Sequence, residues 1–227
     1  MSLSHGEKKM WCVPSLNDEF LKRMEDVLNL YERPYNPVEP VVCLDEKPLQ
    51  LLDHAKPETP IRKPGQAHKI DYEYKRRGTA NIFCAVEPKA GRHFAYVSKR
   101  KEGKDFAKVL YRIARNYPEA ITIHLVMDNY CTHSMKSLTR RYGEEKGKEI
   151  WERFTVHFTP KHASWLDQAE IEIGIMNRQC LGGKRFPNIE ILRKNVNAWK
   201  NRMNKQKVKF DWKFTFKKAK IKFRLDD

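Results

Sequence analysis

Cysteine is scarce and poorly placed for cross-linking. The five residues, Cys12, Cys43, Cys84, Cys131 and Cys180, are odd in number and widely spaced, with no CxxC pair. This excludes a disulfide framework and a zinc finger, and leaves the reduced, mostly buried thiols of a cytosolic protein. No apolar run reaches the roughly 18 residues that would mark a membrane span. The opening stretch MSLSHGEKKMWCVP has no apolar signal core. Internal repeats and low-complexity tracts are missing as well. Acids are in deficit: 29 Asp and Glu stand against 45 Lys and Arg, a net charge of +16 over 227 residues. Apolar residues make up 40% of the chain, enough for a real core. The surplus charge therefore calls for a polyanion, nucleic acid before a membrane surface.

The charge is clustered. Residues 1–60 carry a net −4, 61–100 a net +7, 101–174 a net +1 and 175–227 a net +12. Two basic blocks flank a nearly neutral middle, as in a surface that meets phosphate. Lys205, Lys207 and Lys209 stand in the second block. Along the chain, Ser15 or Asn17 caps a helix with Phe20, Leu21, Met24, Val27, Leu28 and Tyr31 at helical spacing. Pro34 stops it. Val41–Leu44 reads as a buried strand ending at Asp45, and 53–78 as a loop with a basic face. Strands are expected at 79–86, 94–97, 121–127 and 154–158. Helices are expected at about 104–116, 134–152, 165–180 and from Asn188 onward. Phe210, Trp212, Phe214 and Phe216 alternate near the end. This order describes a mixed α/β domain built on a layered sheet.

Two acids occupy matching places. Asp45 follows VVCL and Asp128 follows ITIHLVM, each the first charge after a buried strand. Burying such a charge is costly unless it is paired or binds a metal, although an Asp also suits a solvated strand-to-loop turn. A third acid is offered by the segment Ser164–Glu172. Read as one helix, it puts Asp167 and Glu170 a turn apart on an inward face with Leu166, Ala169 and Ile173, and turns Glu172 about 200° away from Glu170. Glu170 is the first choice and Asp167 the second. Three carboxylates without a Cys/His cluster select a hard cation, Mg²⁺ or Mn²⁺. Two such ions suit phosphodiester cleavage and strand transfer.

These residues resemble the catalytic domain of DDE transposases, in the bacterial insertion-sequence branch of the mariner-like superfamily. The stretches that carry the resemblance are PVVCLDEKPLQLL around Asp45, YEYKRRGTANIFCAVEP at 72–88, MDNYCTH around Asp128, and HASWLDQAEIEIGIMNRQCL around Glu170. The last looks like the family's Trp-Leu-Asn-x-x-Glu segment. The resemblance implies a ribonuclease-H-like fold, a mixed five-stranded sheet flanked by helices. It also implies that Asp45 and Asp128 share two Mg²⁺ (or Mn²⁺) ions and that Glu170 completes one ion's shell. Asn129 and His133 would lie in or beside the site. His133 would orient a water or touch phosphate, or serve as a structural histidine of the following helix. Lys69, Lys75, Arg76 and Arg77 would contact double-stranded DNA, and Trp165 would pack beside the site.

Residues 1–40 then form an N-terminal helix and arm, 41–181 the catalytic core, and 182–227 a basic helix and tail packed on it. A homodimer on DNA is expected, away from any membrane, in the cytoplasm with the nucleoid. Three departures stand out. Asp167 replaces the usual Asn. The 41 residues between Asp128 and Glu170 exceed the mariner spacing, with 142–152 as the site of the insertion. No helix-turn-helix pair precedes Asp45, so a separate domain or protein is expected to recognise DNA ends. Two rivals to a transposase are a non-catalytic DNA-binding or partner-recruiting descendant and a metal-dependent nuclease without strand transfer.

Overall fold

The computed structural model describes residues 16–56, 65 and 72–225. Helix α1 (Asp18–Glu32) begins where the Asn17 side chain accepts the Phe20 N–H, at 2.8 Å. Five strands follow: β1 (Val41–His54), β2 (Tyr74–Glu87), β3 (Arg92–Ser98), β4 (Ile123–Met127) and β5 (Phe154–Phe158). They form one sheet in the order β3-β2-β1-β4-β5. The β1–β2 and β2–β3 pairs are antiparallel, and β1–β4 and β4–β5 are parallel. This is the mixed five-stranded sheet of the ribonuclease-H-like fold. Helix α2 (Gly103–Arg115) crosses between β3 and β4, and α3 (Met135–Tyr142) and α4 (Glu144–Glu152) between β4 and β5. After β5 come α5 (Gln168–Met176), α6 (Ile189–Gln206) and α7 (Phe216–Phe223).

Strand alternation sends neighbouring side chains to opposite faces. Val42, Leu44, Phe83 and Ala85 join Phe106, Leu110 and Ile113 of α2 in one core. Ile82 and Cys84 point the other way, onto Met176, Leu192, Val196 and Trp199. Cys43 and Val126 meet Met24 and Val27 of α1 and Ala169 of α5 on that same side. Cys43, Cys84 and Cys180 are buried free thiols, and Cys131 is exposed. No helix among the described residues is long and apolar enough to cross a membrane.

Four expectations need correction. β1 does not stop at Asp45 but runs on to His54, because it pairs with β2 as a long hairpin after leaving β4. Residues 74–78 are therefore strand rather than loop. The helix expected at 134–152 is two helices, broken at Gly143 with φ 87°. Gly147 lets α4 press on α3, since a Cβ there would stand 2.5 Å from the Thr139 Cα. The stretch 165–180 is a 3-10 turn (Ser164–Leu166), then α5, then a π turn (Asn177–Leu181). The aromatic alternation at 210–216 follows α6 and reaches the first residue of α7. It is an extended segment whose rings cover the α1 and α5 side of the sheet.

Candidate active site

The pairing of β1 with β4 sets the first two acids side by side. Cys43 lies opposite Val126 in this parallel ladder, so the register carried two residues on brings Asp45 level with Asp128. The carboxyl end of parallel strands is where such sheets place their sites. Asp45 shares the parity of Cys43 and faces α5. Glu46 has the parity of Leu44 and faces α3. One pair of adjacent acids thus serves both faces of the sheet.

On the α3 side, His133 stands in the turn before the helix and is buried. Its Nδ1 is 2.7 Å from Asp128 Oδ1 and its Nε2 is 2.7 Å from Glu46 Oε1, while the ring stacks on Phe106 at 4.7 Å between centroids. Both partners are acceptors, so the ring fills both contacts as an imidazolium. Burial works against that charge. The bonds to Asp128 and Glu46 outweigh it and raise the His133 pKa to about 10. The same bond draws Asp128 below the usual carboxylate range. Glu46 is the site residue that sequence reading missed. The signal was present in the Asp45-Glu46 doublet, which strand alternation splits between two faces.

On the α5 side, burial pushes Asp45 up to about 6, against the pull of a 2.7 Å bond from the Glu46 N–H. The negative charges of Glu46, Glu170 and Asp128 push it the same way. Asp167 caps α5, accepting the Ala169 N–H at 2.8 Å. It is buried, and burial together with Asp45 holds its carboxyl well above the usual range. In the neutral form Asp has the shape and charge of Asn, so the replacement of Asn is compatible with a crowded acidic centre. The cap is anchored from α1: the Tyr31 hydroxyl donates to the Leu166 carbonyl at 2.8 Å.

Helix phasing carried through Ser164 fails here, because Asp167, at ψ 114°, is extended backbone that restarts the helix. Asp167 is therefore buried and Glu170 is exposed, in the first turn of α5 on the Asp45 side, where its charge reaches Asp45. Glu172 does point away, but into the protein. It is fully buried, with Oε1 2.8 Å from His93 Nδ1. Asn129 is exposed beside Asp128. Trp165 packs edge-on against Phe214 at 5.6 Å.

The donors are all carboxylate oxygens, and their mutual repulsion would be relieved by a cation, so the set fits a hard divalent ion. Among the described residues no three His, Cys, Asp or Glu side chains already converge at holding distance. Lys75, Arg76 and Arg77 are exposed on β2 opposite Leu52 and Asp53, and Arg77 is paired with Asp53 at 2.7 Å. Lys205, Lys207 and Lys209 are exposed where α6 ends, near the β2–β3 turn. Residues 75–77 lie seven to nine residues along β2 from Cys84, the partner of Asp45, or about 23–30 Å. Lys69 lies outside the described residues.

The family described as DDE superfamily endonuclease matches residues 40–193, more than half of the chain. No curated protein matches the sequence. Among solved structures, the Mos1 mariner paired end complex with Mn is similar over 91% of this chain, with a TM-score of 0.56 and 14% identity. The Mos1 transposase paired-end complex with left transposon end is similar over 91%, at 0.56 and 15%. A pre-cleavage Mos1 transpososome is similar over 92%, at 0.54 and 14%. At such identity the likeness is one of fold. This chain spans 63% of the length of the first two and 69% of the third.

Proposed function

Because the chain belongs to the DDE superfamily endonuclease family, we propose that it is the core of a transposase of the mariner-like superfamily, in its bacterial insertion-sequence branch. It would cleave one DNA strand and join the freed 3′-hydroxyl to a target. Residues 41–181 form the catalytic core, with 1–40 as helix and arm and 182–227 as basic helix and tail. The observation that carries this reading is the register that sets Asp45 beside Asp128, with Glu170 on the facing helix.

In this reading Asp45, Asp128 and Glu170 hold two divalent ions. When bound, such ions activate the attacking oxygen and stabilise the leaving one. The similar Mos1 mariner paired end complex with Mn supports a divalent ion. His133 holds the Asp128 carboxylate in one orientation and balances the charge of Glu46, so Asp128 reaches the site ionised. Asn129 lies at the entrance. The exposed bases at 75–77 and 205–209, with Lys69, hold double-stranded DNA on either side of the acids. The protein acts on chromosomal DNA in the cytoplasm as a homodimer, with end recognition supplied by another domain or protein.

Labelled duplex carrying candidate ends, incubated with the protein and Mg²⁺, tests the reading. Nicks followed by joined products are expected. Nicks alone would make it a nuclease, and neither product would remove the enzymatic reading.

A further inference from the structure

A cavity of about 650 Å³ lies toward the end of the sheet away from the acids. Val41 and His124 line it, and they are a ladder pair at the start of β1 and β4. Asp45 is four residues farther along β1, about 13 Å away. The connector after α1 and the extended segment after α6 supply most of the remaining walls. Gln168, the first residue of α5, is one of the buried lining residues. Tyr35, Lys209 and Asp211 are exposed at the rim. Such a volume suits a small organic molecule.

The walls are largely aromatic. Tyr31 and Trp212 meet edge to face at 5.4 Å between centroids, and Tyr35 and Phe210 join them. The polar ends of the first two rings are used elsewhere. The Tyr31 hydroxyl donates to the Leu166 carbonyl at 2.8 Å, and the Trp212 indole N–H donates to the Phe214 carbonyl at 2.7 Å. These rings offer the cavity carbon surface, which favours a flat ring as its partner.

Charge selects neither an anion nor a cation. Glu32 accepts the Phe216 N–H at 3.0 Å, Glu39 accepts the Asn36 amide at 2.9 Å and Glu87 accepts the Tyr117 hydroxyl at 2.8 Å. Arg33 is 3.3 Å from His124 Nε2, and Lys89 donates to the Arg33 carbonyl. All of these groups line the cavity. A charged ligand would meet a like charge whichever its sign, so an uncharged one is favoured.

Gln168 is the exception among these committed polar groups. Its side chain is 2% exposed, and its Oε1 accepts no hydrogen bond among the described residues. A buried amide oxygen without a donor is costly, and one on a cavity wall marks a place for a ligand's donor.

We propose that this cavity binds an uncharged bicyclic heteroaromatic molecule bearing an N–H donor. Its ring would lie against Trp212 and Phe210, and its N–H would be accepted by Gln168 Oε1. The site stands apart from Asp45 and Asp128, and its occupation requires neither DNA nor a metal.

The probes are indole and benzofuran, the same ring system with and without the N–H, each titrated calorimetrically into the full chain. Indole is expected to bind, and benzofuran to bind at least about fivefold more weakly. That preference should vanish in a Gln168→Leu variant. Indole affinity should fall about threefold or more in Tyr35→Ala, at the exposed rim. Equal or tighter binding of benzofuran would overturn the role of Gln168 as acceptor, and so would a preference that survives in Gln168→Leu. Unchanged affinity in Tyr35→Ala would place the ligand elsewhere. Binding of neither probe would leave the cavity to water and end the proposal. Should Gln168→Leu fail to fold, the two probes on the parent chain and on Tyr35→Ala still decide.

Discussion

Asp45 is held in a charge state that its surroundings oppose. An acid whose pKa is raised from 3.8 to about 6 by burial destabilises the fold once it ionises, so its penalty is absent in acid and complete above that value. Asp45→Asn is therefore expected to abolish Mg²⁺-dependent nicking and to leave DNA affinity nearly intact. It should also stabilise the protein at neutral pH by about 1–2 kcal/mol, allowing for partial exposure. Nicking and thermal melting of the same preparation test this, and retained nicking would remove Asp45 from the site. His133 has the opposite sign. Its pKa is raised from 6.5 to about 10, so it stabilises the fold fully below its unfolded value and loses that contribution as pH rises toward 10. Denaturation midpoints of the parent chain should fall across pH 7–10, and a His133→Asn variant should show a flatter profile.

Two acids two residues apart on α5, Glu170 and Glu172, divide its duties. Glu170 is exposed at the site, while Glu172 is buried against His93, whose Nε2 donates to the Val208 carbonyl at 3.0 Å. That contact ties α5 through β3 to the segment after α6. Glu170→Gln is expected to cost nicking at least about 100-fold with little change in stability. Glu172→Gln should cost about 2–4 kcal/mol, because it leaves a buried partner incompletely matched. Activity normalised to the folded fraction separates the two. A reversed pattern would show that Glu172, not Glu170, serves the site. Helix α2 carries the simplest element-level ledger: Leu110 is wholly buried, and its truncation to Ala is expected to cost about 2–5 kcal/mol.

Across the whole molecule, charge is arranged around the acids. Bases at 75–77 lie toward the tip of the β1–β2 hairpin, and those at 205–209 lie beyond the other end of β2, with Asp45 paired to Cys84 between them. Changing Lys205, Lys207 and Lys209 to Gln is expected to reduce the slope of log affinity against log salt by up to about 2.7. An unchanged slope in a DNA titration would place that segment outside the interface.

The apolar run at 121–127, closed by an Asp, was enough to place Asp128 at a strand end, because strand burial is written in composition, whereas Asp45 after the run at 41–44 lies inside a longer β1. Helix α2 and the Asn17 and Asn188 caps were equally local, and so were legible. Two strands that meet only in three dimensions decided the rest. β1 outlasted its apolar run because β2 supplied hydrogen bonds that no periodicity records. The phase of α5 depended on a cap that breaks the backbone at Asp167, and the burial of Glu172 depended on a histidine 79 residues away. His133 was visible as a motif residue, but its pairing with Glu46 joined β1 to the turn after β4. The sequence by itself determined which residues carry charge and which strands are buried, since both follow from side-chain chemistry. Only tertiary structure decided which acid faces the site and which faces the core, because that choice rests on long-range register and on burial.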